Sequence, residues 1–423
     1  MPGFLLPERP IESIDEWLAT DVGGLGVERA QSMGPRATID LMQRSGLRGR
    51  GGAGFPTGRK WTSVAGADPS AGTRYLVGNA AEGEPATFKD RALMRANPYQ
   101  LVEGMIIAAF AVGAAEAFVC LKASFEREIA AVTRAIEEFQ RAGICQDCQF
   151  TIVSGPEEYL YGEEKAMMEV IEGKPPLPRL LAPYEHGLFT GGPQEGWESG
   201  GGRPATAGAN PTLVNNAETL SNVPHILARG ADWFRSMGTS QSPGTIVCTM
   251  VGDVLAPDVG ELEMGTRLGD AIDAVGSGLA AGRRMKAAFS GVANPVLTAE
   301  HLDVGLSYEA MQGAGSGLGA GGFWVLDDTA CMVQAALTIS RFLYVESCGQ
   351  CPPCKLGSED ITSRLERIEA GYGDELDIEQ IQGWLGRVTD GARCYLATQE
   401  QRVVASVLER FPEEVVAHIE EER

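Results

Sequence analysis

Ala117-Phe-Val-Cys-Leu121 and Phe150-Thr-Ile-Val153, with the segment between them, decide the fold. Between the two short apolar runs, Ile129, Val132, Ile136 and Phe139 step as i, i+3, i+7 and i+10, one face of a helix, and Gly143 stops it. A strand, a helix and a strand in that order predict a parallel pair joined by a right-handed crossover. Upstream the alternation continues: residues 74–77 read as a strand, 99–115 as a helix and 37–44 as an earlier helix. In such sheets ligands sit beyond the carboxyl ends of the strands.

Further along, residues 190–209 shift to Gly, Pro, Ser and Thr without periodicity, which predicts a surface loop. Residues 245–326 carry short strands, one helix near 268–274 and many glycines, a small α+β module. From Cys331 onward the chain is helical. Its stripes are Ile361, Leu365 and Ile368; Ile378, Ile381, Leu385 and Val388; and Val404, Val407, Leu408 and Phe411. Helices of this length and spacing predict a small bundle. No internal repeat and no coiled-coil heptad is visible.

A chain of 423 residues calls for two or three domains, and 44% hydrophobic residues describe a folded protein. A net charge of -22 argues against nucleic-acid or anionic-membrane partners. The most apolar helix, 105–115, is about half of the roughly 20 residues a membrane span needs. Acidic residues near the N-terminus leave no secretory pattern, so a cytoplasmic address is expected. Nine cysteines without such a signal point to metal ligation more than to disulfides.

The cysteines concentrate in Glu346-Ser-Cys348-Gly-Gln-Cys351-Pro-Pro-Cys354, with Cys394 distant in sequence. Two consecutive C-x-x-C steps place three thiolates around one turn, and a [4Fe–4S] cluster needs four at its corners. Zinc also takes four cysteines, but more often as two separated pairs, and a set of buried thiols without metal is the third option. Cys145 and Cys148 stand in a loop with no second pair nearby and read as inert. Cys120, Cys248 and Cys331 sit in apolar runs and read as core.

The other dense signal is Gly46-Leu-Arg48-Gly49-Arg50-Gly51-Gly52-Ala-Gly54-Phe55-Pro56-Thr57-Gly58-Arg59-Lys60-Trp61. Its G-x-G-x-x-G match is weak, because a dinucleotide fingerprint follows a strand and this loop follows a helix. Many side-chain-free amides beside four cations would nevertheless cradle a phosphate, or form a flexible turn on a basic surface. Phe55 and Trp61 are candidates to pack against a ring. Gly78-Asn79-Ala80-Ala81-Glu82-Gly83-Glu84-Pro85 follows the first strand, where a ligand is expected. Tyr159-Leu-Tyr161-Gly162-Glu163-Glu164 opens a helix, where its carboxylates would serve a ligand or simply the helix dipole.

Together these stretches, in fixed order with Pro211-Thr-Leu-Val-Asn215-Asn216-Ala-Glu-Thr219 and the Ser340-Arg-Phe-Leu-Tyr344 run, resemble the flavin subunit of NADH:quinone oxidoreductase (respiratory complex I). They likewise resemble the relatives of that subunit in NAD-linked hydrogenases and formate dehydrogenases. The resemblance spans residues 37–400. It implies a Rossmann-like α/β parallel-sheet domain (1–240), a ubiquitin-like α+β domain (241–328) and a C-terminal four-helix-type bundle (329–423) carrying one [4Fe–4S] cluster. It further implies hydride transfer from NAD(H) to FMN, followed by one-electron steps through the cluster.

Carried over by motif, Gly49, Arg50, Gly51, Lys60, Asn79, Glu82, Tyr159, Gly162, Glu163, Glu164, Asn215, Asn216 and Thr219 would line FMN. Gly52, Phe55 and Glu84 would face the nicotinamide nucleotide, so that Lys60 and Glu84 stand at the reacting rings. Cys348, Cys351, Cys354 and Cys394 would hold the cluster. The partners implied are a small thioredoxin-like [2Fe–2S] subunit and a larger iron–sulfur or catalytic subunit, placing the chain in the cytoplasm or on the cytoplasmic side of a membrane complex. The chain departs from the family pattern at Ala81 (usually Asp), Ser63 (usually aromatic), Leu181 (usually basic) and Lys165 (usually Thr). Ser63 and Leu181 fall where the family contacts NADH. A flavin and iron–sulfur relay serving another donor is therefore the competing expectation, and a zinc-bearing scaffold a third.

Overall fold

The computed structural model describes residues 3–145, 148–190 and 208–420. Four helices come first: α1 (Ile14–Leu18), α2 (Leu25–Met33), α3 (Pro35–Ser45) and α4 (Thr57–Ala65). The glycine-rich loop thus runs from one helix into another, as its sequence context requires. A parallel α/β layer follows: β1 (Tyr75–Asn79), α5 (Lys89–Ala96), α6 (Pro98–Val112), β2 (Glu116–Lys122), α7 (Glu126–Arg141), β3 (Gln149–Gly155), α8 (Glu164–Ile171), β4 (Thr212–Asn216) and α9 (Ala217–Arg229). All three strand pairs are parallel and the order is β3-β2-β1-β4. The chain therefore steps outward from β1 to β3 and returns on the other side of β1.

Side chains alternate across this sheet with the period of two that strands impose. Leu76, Ala117, Val119, Leu121 and Leu213 face a core completed by α6, α7 and α9. Tyr75, Val77, Phe118, Cys120 and Val214 face a second one with Tyr161, Met167, Met168, Leu188 and Phe189. α6 is buried on almost every side, which is why its sequence is apolar without a stripe. No helix among the described residues is long and apolar enough to cross a membrane. Of the loop expected over 190–209, residues 191–207 lie outside the described residues.

Beyond α10 (Ala231–Arg235), a second sheet is built from β5 (Thr245–Gly252), β6 (Asp258–Glu263), β7 (Met285–Ser290), β8 (Leu297–Thr298) and β9 (Gly322–Asp327), in the order β6-β5-β9-β7-β8. Only the β5–β9 pair is parallel. α11 (Leu268–Gly276) and α12 (Tyr308–Gly313) contribute Ile272, Val275 and Met311 to its core. Five helices complete the chain: α13 (Met332–Glu346), α14 (Pro352–Glu369), α15 (Glu375–Leu385), α16 (Leu396–Arg410) and α17 (Pro412–Glu420). Their shared core takes in the expected stripes, including Ile361, Leu365, Ile368, Ile381, Val404 and Val407. It also takes in Leu160 and Ala166 from the first sheet's side and Phe289 and Val292 from the second, so the three parts abut.

Candidate flavin and iron–sulfur site

The carboxyl ends of β1 and β4 are adjacent, and they end on Asn79 and Asn216. The chain order reverses at this point, and in a sheet of this kind the crevice beyond such a reversal is the usual ligand position. Asn79 donates to the Gly162 carbonyl at 2.8 Å and accepts from the Ala81 amide at 3.3 Å. Asn216 caps α9, accepting from Glu218 N at 3.0 Å, and donates to Asp90 at 2.7 Å. Under it, buried Lys89 pairs with Asp90 and Glu218, both at 2.8 Å. Those carboxylates hold the Lys89 ammonium well above its ordinary range against the pull of burial.

The glycine loop closes over this edge. Gly49 N donates to Phe55 O at 2.8 Å, pinching the loop at its neck. Gly54 has φ +61°, and a Cβ there would lie 2.4 Å from the Tyr308 ring. A Cβ on Gly51 would stand 3.1 Å from Asn216 Cβ, so the loop backbone lies almost on the end of β4. Among the described residues the amides of Gly51, Gly52 and Ala53 have no protein acceptor. This is a cradle of neutral N–H donors that a Cβ would partly fill, and it fits a flavin phosphate.

The arginines of the loop do different work from the one their sequence position suggests. Arg50 is buried, and its guanidinium donates to the carbonyls of Arg48, Pro243 and Thr245 at 3.1–3.2 Å. Its amide donates to Thr219 Oγ1 at 2.8 Å. Arg48 donates to Gly54 O at 2.7 Å and lies over the Tyr308 ring. Both thus brace the cradle from behind. Lys60 reaches forward to Glu164 at 2.7 Å, the Glu being at the start of α8. Trp61, expected as a ring-packing candidate, is instead fully buried and donates to Asn215 Oδ1 at 2.8 Å; its indole N–H needs a partner in the core and finds it there. Phe55 is 51% exposed with Arg59 beside it, and is the aromatic left to meet a ring.

Both acidic motifs are built into the frame. Glu82 caps α5, accepting from Asp90 N at 2.9 Å and Arg91 N at 3.3 Å. Glu163 caps α8 through Lys165 N and Ala166 N, and burial pushes its carboxyl up to about 7. Glu84 accepts from Val292 N at 2.7 Å and from the Tyr159 hydroxyl at 2.6 Å; that hydroxyl in turn accepts from Gln399 Nε2 at 2.6 Å. One polar chain therefore runs from Val292 beside the second sheet through Glu84 and Tyr159 of the first part to Gln399 on α16, a connection between separate motifs that their spacing in sequence could not reveal. Burial raises the Glu84 carboxyl and the Tyr159 hydroxyl above their usual values.

Cys348, Cys351, Cys354 and Cys394 line one small cleft with Leu160, Ser347, Leu396 and Ala397. All four are free of disulfides. Gly349 takes φ +76°, and Pro352 opens α14 at a position that needs no amide, which lets the three sulfurs turn toward one point. Among the described residues that line this cleft there is no histidine or carboxylate, and four thiols so placed suit an iron–sulfur cluster. Lys165, one of the departures, donates to the carbonyl of Arg393, next to Cys394. Cys145 is buried beside Cys148, away from this cleft, as its isolation in sequence suggests. Cys331 is not a core residue: it is half-buried and faces Glu369 and His418.

A Gly-cradled crevice beside a four-thiol cleft defines a flavin and iron–sulfur oxidoreductase component. Residues 42–225 match the family described as the Nuo51 FMN-binding domain, and residues 334–418 match the iron–sulfur binding region of NADH-ubiquinone oxidoreductase-F. The second F-type subunit of NADH-quinone oxidoreductase in Rhizobium meliloti is 39% identical over 401 residues, covering 92% of this chain and 90% of that protein. The NADP-reducing hydrogenase subunit HndC of Solidesulfovibrio fructosivorans is 34% identical across 100% of this chain and 83% of its own. The H2-reduced NAD+-reducing [NiFe]-hydrogenase superposes with a TM-score of 0.81 at 31% identity, over 97% of this chain and 67% of that one. The chain belongs to the family of F-type NADH-quinone oxidoreductase subunits, the FMN- and [4Fe–4S]-bearing electron-input components of multi-subunit oxidoreductases.

Proposed function

We propose that this chain accepts hydride from NADH at the crevice between β1 and β4 and delivers single electrons through the Cys348–Cys351–Cys354–Cys394 cleft to partner subunits. When bound, FMN supplies the conversion of a two-electron donor into one-electron steps, and the cluster provides the exit. The observation that carries this reading is the position of residues 159–165. Gly162 bonds to Asn79 in the crevice, Leu160 lines the cysteine cleft, and Lys165 bonds to the segment before Cys394. Flavin and cluster would share one wall.

In this reading the amides of Gly51, Gly52 and Ala53 hold the phosphate, and Asn79, Asn216 and the backbone near Gly162 align the ring system. Gly49, Arg50, Asn215 and Thr219 keep the loop seated on β4, and Glu82, Glu163 and Glu164 fix the ends of the helices around it. Lys60, paired with Glu164, would steady negative charge on a bound flavin. Exposed Phe55, with Gly52 and Glu84, would face a bound nicotinamide nucleotide. Arg179 donates to Glu169 at 2.5 Å and is buried, and Ser63 is exposed, so neither supplies a stacking ring or a free cation for the nucleotide. That observation favours the second reading, a relay fed by another reductant.

We further infer three domains, 1–240, 241–328 and 329–423. The β6-β5-β9-β7-β8 order, with only β5 and β9 parallel, supports a ubiquitin-like middle domain. The common core of α13–α17 supports a helical bundle of the four-helix type with one helix added. A thioredoxin-like [2Fe–2S] subunit and a larger iron–sulfur or catalytic subunit are the partners that the family resemblance implies. Val345, Leu356 and Tyr395, all exposed and close in sequence to the cysteines, suit such docking. The address that goes with them is the cytoplasm, on the cytoplasmic side of a membrane complex.

Anaerobic NADH added to FMN-loaded, iron-replete protein tests the proposal. Prompt bleaching of flavin absorbance with a reduced-cluster paramagnetic signal is expected. Bleaching by dithionite but not by excess NADH or NADPH would overturn the dehydrogenase reading and leave the relay.

A further inference from the structure

Away from the flavin and the four-cysteine cleft, three side chains of different chemistry converge from three helices. Cys331 is the N-cap of α13, Glu369 is the last residue of α14, and His418 lies in the last turn of α17. Cys331 Sγ is 3.2 Å from His418 Nε2 and 3.5 Å from Glu369 Oε2, and the ligand atoms of all three lie within 4.8 Å of one another. His418 and Glu369 are 15% and 26% exposed, so the cluster is shielded yet open on one side. Cys331 Sγ also accepts from Gln334 N at 3.3 Å, which fixes the sulfur's direction.

Tetrahedral zinc holds sulfur at about 2.3 Å and nitrogen or oxygen at about 2.0–2.2 Å, so its donors sit roughly 3.3–3.6 Å apart. The two sulfur distances here are close to that spacing before any metal draws the donors together. A thiolate, a carboxylate and a neutral imidazole carry two negative charges against a dication. The soft sulfur and the imidazole favour zinc over magnesium or calcium. One thiol cannot hold an iron–sulfur cluster, which separates this cluster of side chains from the four-cysteine cleft.

We propose that Cys331, Glu369 and His418 form a zinc site with water at the fourth position, tying the start of α13 and the end of α14 to the terminal helix α17. Glu414, on the same helix, accepts from Met332 N at 3.0 Å and pairs with Lys286 at 2.6 Å, so α17 is already set against this corner by polar contacts. Metal binding would complete the attachment. The competing description is a thiol hydrogen-bonded to a carboxylate with no metal, and the two differ in what they bind.

The test uses the full chain with its flavin and iron–sulfur cluster loaded. It is stripped of loosely held metal, equilibrated with one equivalent of Zn2+, desalted, and assayed for zinc and iron together. One zinc per chain is expected in the wild type. Cys331→Ser and His418→Gln should each weaken zinc binding by at least about tenfold while iron content and the cluster's paramagnetic signal stay unchanged. Co2+ in place of zinc should give a thiolate-to-metal absorption band, lost in Cys331→Ser. If the variants fold poorly, the wild-type cobalt spectrum still decides. No zinc retained, a cobalt spectrum lacking thiolate character or showing four thiolates, or full zinc retention in both variants would overturn the proposal.

Discussion

At the scale of single residues, carboxylates in this protein mostly act through other groups. Glu84 accepts from both the Tyr159 hydroxyl and the Val292 amide. Glu84→Gln keeps one carbonyl oxygen and turns the other acceptor into a donor, leaving one of those partners unmatched. A loss of about 1–3 kcal/mol in stability is expected by denaturant titration, together with slower flavin bleaching by NADH. Glu400 is a different case. It is buried in α16, accepts from Ser340 Oγ at 2.5 Å through one oxygen, and its other oxygen has no partner among the described residues. Burial pushes its carboxyl up to about 7. An unfolded chain releases that proton near the ordinary value of 4.5. Between those two values the folded state holds a proton the unfolded state has lost, so stability falls as pH rises through the window and levels off above it. The full effect is roughly 3 kcal/mol. Glu400→Gln should flatten that slope in unfolding measured at pH 5, 6 and 8, and an unchanged slope would remove Glu400 from the account.

At the scale of elements, the glycine loop shows what sequence can and cannot carry. Its composition announces a close approach, and Gly54 shows why: φ +61° and a ring 2.4 Å from any added Cβ. Gly54→Ala should cost about 1–3 kcal/mol and displace the cradle, so FMN titration should weaken while far-ultraviolet circular dichroism stays unchanged. The strands β1, β2 and β3 are legible because each is an apolar run bounded by turn residues. β4 is not, because Thr212-Leu-Val-Asn-Asn216 is short and reads as part of a motif, not as a strand. α1, α2 and α5 also escape notice, being short and mostly polar at their ends. The cysteine spacing marks the cleft from sequence alone, whereas the partners of Trp61 and Cys331 depend on residues 154 and 87 positions away. The sequence marks Trp61 as ring-facing and Cys331 as core, and only tertiary contacts give their partners.

At the scale of the whole molecule, the three parts share apolar packing, and polar contacts cross between them beside it. Val292, Glu84, Tyr159 and Gln399 link the second sheet's side, the first part and α16, and Tyr159 also packs against Phe342 at 5.2 Å. Tyr159→Phe keeps that ring contact and cuts the hydrogen bonds. Hydrogen exchange should then rise in α16 and around Val292, with the protection of β1–β3 unchanged; uniform loss everywhere would mean the parts do not behave as units. The inward turn of Arg48 and Arg50 has a consequence of another kind. The protein carries a net charge of -22, and two of the four cations clustered beside the glycine cradle are committed to the loop's own carbonyls and its neighbours'. Phosphate there would be held by neutral amides, and the charge of buried Arg50, with Glu218 4.0 Å away, lies where salt screens it little. Flavin retention should accordingly be almost indifferent to ionic strength, with dissociation constants moving by less than about threefold between low and high salt. A protein built this way could pass through very different salt conditions without shedding its cofactor.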